Sequence, residues 1–189
     1  PPVKECALSA GIPVYQPLKM RDGEALSVLK DLNPELIIVV AYGKILPKEI
    51  LDYPKYGCVN MHASVLPSYR GAAPIQWSII NGDKVTGVTT MKMADGIDTG
   101  DILLVRETEI KEDETAEELF DRLAVIGGEL LVETLEKIDT ITPVPQDEAQ
   151  ATYVSMIKKE MGEINWSEPA GKICNLVRGM NSWPMAYTY

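Results

Sequence analysis

Histidine occurs once in this chain of 189 residues, as His62, and a lone histidine is more often structural than catalytic. Its neighbours must therefore carry any functional reading. Cysteine occurs three times, at Cys6, Cys58 and Cys174, scattered and without a C-x-x-C spacing. That excludes a disulfide framework or a zinc-ribbon pattern and reads as free thiols. Basic residues are outnumbered, 18 against 28 acidic, for a formal net charge of −10. Such a balance argues against a large phosphate-binding surface within these residues. The longest apolar run, Leu36 to Tyr42, is far short of the roughly 18 to 20 residues needed to span a bilayer. With no charged and apolar leader at Pro1, a cytoplasmic location is expected.

What is present is a regular α/β rhythm. Pro2 to Gly11 predicts a short helix, Pro13 to Tyr15 a brief strand, and Asp22 a cap for a helix with Leu26, Leu29 and Leu32 on one stripe. Leu36 to Ala41 predicts a central parallel strand covered on both faces. Cys58 to His62 is another strand, Ala73 to Asn81 a helix, and Thr86 to Met93 and Ile102 to Glu109 are β-prone, joined by the loop 94–101. Thr115 and Glu118 form a capping box for a long helix that should turn Leu119, Phe120, Leu123, Ile126, Leu130 and Leu131 inward. Alternating strands and helices predict a mostly parallel sheet. The chain divides most naturally into 1–138, a Thr-, Pro-, Gln- and Asp-containing linker 139–151, and 152–189. In the last part Ile164 to Trp166 and Trp183 to Tyr189 read as strands, and Pro169 to Met180 as a helix capped by Ser167. Trp77, Trp166 and Trp183 read as packing residues.

The chemistry concentrates in two places. Strand side chains alternate, so Asn60 and His62 project from one face, about 7 Å apart along the strand. They sit at the carboxyl end of that strand, where open parallel sheets lodge ligands. An amide beside an imidazole there is a reasonable oxyanion donor and acid/base pair, or else a polar strand end satisfied by loop backbone. The second place is Asp95 to Asp101, whose carboxylates either bond their own loop or orient His62. Its spacing does not match a calcium loop, so no metal is expected. Arg70, in a loop bordered by Gly71, reads either as an exposed, solvated charge or as a group beside the site that holds a phosphate or a ligand carboxylate.

The run Asn60-Met61-His62-Ala63-Ser64-Val65-Leu66-Pro67-Ser68-Tyr69-Arg70-Gly71, followed by Asp95 to Asp101, resembles the signature of 10-formyltetrahydrofolate-dependent formyltransferases. Val39 to Pro47 is similar to that family too, and Arg70 to Gln76 resembles the branch whose acceptor is methionyl-tRNA. Ala63 and Val65 stand where glycine and leucine are common, and neither change removes a functional group. The resemblance implies a Rossmann-like formyltransferase domain followed by the start of a C-terminal, OB-like β-barrel domain from Thr152. It implies further family segments before Pro1 and after Tyr189, a basic loop among them. It implies Asn60, His62 and Asp98 as the catalytic trio, and folate along Ser64, Val65, Leu66 and Pro67 with backbone from Ile45 and Leu46. The implied donor is 10-formyltetrahydrofolate, the implied partner initiator methionyl-tRNA, and the implied state a monomer, with no metal and no membrane. An acceptor such as a sugar-nucleotide amine, hydrolysis of the formyl donor, and a non-catalytic folate-binding fragment are the competing readings.

Overall fold

A computed structural model of the chain describes residues 2–21 and 23–189. In order, its elements are α1 (Pro2–Ser9), α2 (Glu24–Leu32), β1 (Ile37–Val40), α3 (Lys48–Leu51), β2 (Cys58–His62) and β3 (Arg70–Gly71). Then come α4 (Pro74–Ile80), β4 (Val85–Lys92), β5 (Ile102–Glu109), α5 (Ala116–Glu136), β6 (Tyr153–Val154) and α6 (Ala170–Gly179). Among the described residues no helix is long and apolar enough to cross a membrane.

The architecture is α/β and Rossmann-like, around a four-stranded sheet in the order β1-β2-β4-β5. The sheet is mixed. β1 runs parallel to β2, whereas β2–β4 and β4–β5 are antiparallel. The β4–β5 half is antiparallel because a short loop returns the chain directly, leaving no room for the crossover a parallel pair requires. β4 lies between two neighbours and is buried from Thr86 to Met91. β1 differs from its expected central place. Among the described residues β2 is its one ladder partner, so it is an edge strand, with Ile38 37% and Val40 44% exposed.

Alternation along the strands divides the core into two layers. Met61 and Val88 face α5, where Leu119, Leu123 and Leu130 are at most 2% exposed. Each such leucine contributes about 2 kcal/mol by burial. The capping box is formed as predicted: the Thr115 hydroxyl accepts from the Glu118 N–H, and the Glu118 carboxylate accepts from the Thr115 N–H. Phe120 is 58% exposed, contrary to expectation, because the buried stripe runs Ala116, Leu119, Leu123, Gly127, Leu130 and Thr134. A residue one step past Leu119 is turned about 100° out of that stripe. On the other side of the sheet Cys58 and Val39 pack with Met20, Ala25, Leu46 and Ile50. Asn60 and His62 share the face of Cys58.

Several expectations change in the details. Pro13 to Tyr15 has no strand partner and is irregular. Asp22, expected to cap α2, lies outside the described residues. Ser167 caps nothing; its hydroxyl donates to Asn165 Oδ1 in a local turn, and α6 starts after Pro169 without a side-chain cap. In the tail, Ile164 to Trp166 and Trp183 to Tyr189 form no strands, and one bridge joins Glu163 to Tyr187. Trp166 and Trp183 are 66% and 63% exposed, so they pack little, whereas Trp77 is half-buried and donates to the Ser155 carbonyl.

Candidate active site

β2 ends at His62, and the chain then folds back over its own sheet. Thr89 stands directly across from His62 in the ladder. Its hydroxyl donates to the Ser64 carbonyl at 2.7 Å and accepts from the Leu66 N–H at 3.1 Å. Both anchors and Thr89 itself are buried. The Ser64 hydroxyl closes the same loop by donating to the Ser68 carbonyl. The loop is therefore a fixed wall at the end of β2.

After this wall the backbone takes positive φ at Tyr69 and Gly71. At Tyr69 this turns the carbonyl toward the imidazole, 2.9 Å from His62 Nε2. A carbonyl oxygen can only accept, so Nε2 carries the hydrogen and Nδ1 of the neutral ring is left with its lone pair. Nδ1 faces Asp98 Oδ2 at 3.6 Å. That is too long for a direct hydrogen bond, and the two groups can form an ion pair only once Nδ1 takes up a proton. The same Oδ2 accepts from the Gly71 N–H at 2.8 Å. Gly71 has φ +104, and a Cβ there would lie 2.4 Å from the Val154 carbonyl oxygen, so only glycine presents its N–H this way. The His62 and Asp98 side chains are 8% and 16% exposed.

Asn60 is half-buried, and its side-chain amide makes no hydrogen bond among the described residues. An unengaged amide on the His62 face is free to donate to a bound oxygen. The expected folate positions are spread over two loops. Ser64 and Leu66 turn their side chains inward, while Val65 and Pro67 are half-buried. In the second loop Leu46 is core and Ile45 is 76% exposed. Lys44 fixes that loop by donating to the Pro17 and Leu18 carbonyls. An apolar hollow of about 810 Å³ over β1, lined among others by Val39, Tyr42 and Ile50, takes in Leu46 and none of the other expected positions. Among the described residues no group of three His, Cys, Asp or Glu side chains could hold a metal ion.

Arg70 corrects its expectation outright. It is fully buried rather than exposed, and its donors are spent internally on Glu148 (twice), Gln146 and the Tyr153 hydroxyl. Its hydrogen bonds to the Glu148 carboxylate hold its pKa above, and that of Glu148 below, their ordinary values. It is a structural anchor: four of its five N–H groups are committed to Gln146, Glu148 and Tyr153, and the side chain is fully buried. Sequence reasoning passed over Tyr69, Thr89 and Gln146. Thr89 meets the His62 face through the β2–β4 register, which no single strand's pattern states, and a carbonyl partner has no side-chain signature.

Residues 1–135 match the family model described as formyl transferase, and residues 156–189 match the formyl transferase C-terminal domain. The chain is 55% identical to a methionyl-tRNA formyltransferase of Thermodesulfovibrio yellowstonii over all of its own length and 62% of that protein. It is 56% identical to one from Acetivibrio thermocellus, over 100% of this chain and 61% of the relative. The chain thus spans somewhat less than two thirds of the curated relatives it matches. Among solved structures, methionyl-tRNA formyltransferase from Clostridium thermocellum superposes with a TM-score of 0.74 at 32% identity, covering 90% of this chain and 74% of that one.

Proposed function

We propose, for a chain that belongs to the formyl transferase family, that it moves a formyl group from N10 of 10-formyltetrahydrofolate to the α-amine of initiator methionyl-tRNA. The observation that carries this reading is the placement of an unengaged Asn60 amide beside a His62 whose Nδ1 faces Asp98. That its relatives are methionyl-tRNA formyltransferases supports the acceptor. We assign the chemistry to residues 1–138, joined by 139–151 to a second unit from 152, in a cytoplasmic protein.

The neutral amine attacks the formyl carbon, and the carbonyl oxygen becomes an oxyanion. The Asn60 amide donates to that oxygen, a contact stronger in the transition state than in the ground state. His62 takes the proton of the attacking amine at Nδ1, because Nε2 already donates to Tyr69. The imidazolium then pairs with the Asp98 carboxylate and passes the proton to the departing N10. One N–C bond forms and one breaks, and the proton moves from amine to amine. No covalent enzyme intermediate is needed; Cys58 points into the core, and burial pushes its thiol up to about 11. The proposed folate loops are Ser64 to Pro67 and Ile45 to Leu46.

The test is an acceptor panel for the full-length protein with 10-formyltetrahydrofolate: methionyl-tRNA, free methionine and an amino-sugar nucleotide. Gain of one CO by methionyl-tRNA alone is the expected result. Formylation of the sugar amine in preference would overturn the acceptor.

A further inference from the structure

Asp98 sits in a loop with no regular ladder of its own and at φ +53, a left-handed conformation that costs a non-glycine residue on the order of 1 kcal/mol or more. Something must hold it there. The Asp98 and Gly100 carbonyls both accept from one group, the Gln146 side-chain amide, at 2.8 and 2.7 Å. Gln146 Oε1 in turn accepts from Arg70 Nε at 3.0 Å. These partners fix which end of the amide is which, and they use both N–H bonds. Arg70 is held by Glu148 and Tyr153, and the next residue, Gly71, donates its N–H to Asp98 Oδ2. The ring closes: Arg70 through Gln146 grips the Asp98 backbone, while Gly71 grips its carboxylate. Nearby, Val144 pairs with Ile102 and secures the segment that delivers Gln146. Gln146 and Glu148 lie between the two stretches that match the family models.

We propose that Gln146 is a positioning residue that sets the Asp98 carboxylate against His62 Nδ1, so that the segment 139–151 forms part of the active-site frame. This rests on the reading of His62 and Asp98 as the proton-moving pair. The decisive variant is Gln146→Glu. It keeps the size and an acceptor for Arg70 Nε, but replaces the donor to Asp98 and Gly100 by an oxygen that repels both carbonyls. Gln146→Asn, one methylene too short to span Arg70 and the loop, serves if the first does not fold.

The experiment uses full-length protein carrying heavy-nitrogen histidine, with His62 assigned by its loss in His62→Gln. In either variant the His62 Nδ1 resonance should move, while Nε2 keeps the position of a bonded N–H. Turnover should fall between about tenfold and a hundredfold, with KM for both substrates held within about twofold. A strap that only stabilised the fold would lower the melting temperature and leave Nδ1 and turnover per folded molecule unchanged; that result overturns the proposal. Should the unaltered protein transfer no formyl group while Nδ1 still moves in the variants, the positioning stands and the reaction reading falls.

Discussion

Replacing Thr89 by valine keeps the shape of a fully buried side chain and deletes one hydroxyl. That hydroxyl serves two partners, the Leu66 N–H and the Ser64 carbonyl, in residues 3% and 1% exposed. Water cannot readily replace it, so each partner is left with its desolvation penalty of about 1–2 kcal/mol, or roughly 2–4 kcal/mol together. For a protein of this size that lowers the melting temperature by roughly 5–15 °C. Thr89→Ser retains the hydroxyl and loses one methyl group, at a cost of about 1 kcal/mol. Because the freed loop carries Ser64 to Pro67, affinity for a non-reactive folate analogue should fall by about tenfold in the valine variant, a loss of roughly 1.4 kcal/mol. Calorimetric melting and titration measure both quantities. If Thr89→Val melts within about 2 °C of Thr89→Ser, the two bonds do not hold this wall.

Asn60→Ala, His62→Ala and Asp98→Ala should each lower turnover by at least about a hundredfold with little change in melting temperature, and the losses should not multiply in combination, because the groups share one transition state. Gly100→Ala places a Cβ 1.6 Å from the Lys92 carbonyl oxygen, so it should part the Lys92–Asp101 backbone bond, cost about 3 kcal/mol or more and displace Asp98; full turnover in that variant would contradict the frame described for the loop. Burial pushes the Glu114 carboxyl up, but donation from Arg122 and the Lys111 N–H outweighs it and holds the group below its ordinary 4.5. A carboxylate held low stabilises the fold above its unfolded value, and that contribution is lost as pH falls through the lower folded value. Denaturant stability should therefore decline below about pH 4.5, and Glu114→Gln should cost roughly 2–4 kcal/mol at neutral pH and flatten the acid decline.

The contacts show what a sequence makes legible and what it hides. Asn60 and His62 share a face because strand periodicity is two, a property readable before any coordinates. The capping box at Thr115 and Glu118 is equally local, and it forms as expected. Phe120 fails because a helix of 21 residues has a narrower buried stripe than its apolar residues suggest. Leu36 to Ala41 has one ladder partner among the described residues, and an apolar run states what a strand tolerates, not which neighbours it has. Arg70 fails for a longer-range reason. Its acceptors Gln146 and Glu148 lie more than 70 positions away, in a segment whose composition reads as a solvated linker. The His62 tautomer depends on a backbone carbonyl, which no residue type encodes.

The most direct measurement is single-turnover transfer of an isotope-labelled formyl carbon from 10-formyltetrahydrofolate to methionyl-tRNA by the full-length protein and its Asn60→Ala, His62→Ala and Asp98→Ala variants. Label is expected on the methionine α-amine with the unaltered protein, and a first-turnover rate lower by about a hundredfold or more in each variant. Transfer by His62→Ala at the unaltered rate, or no transfer by the unaltered protein, would contradict this mechanism.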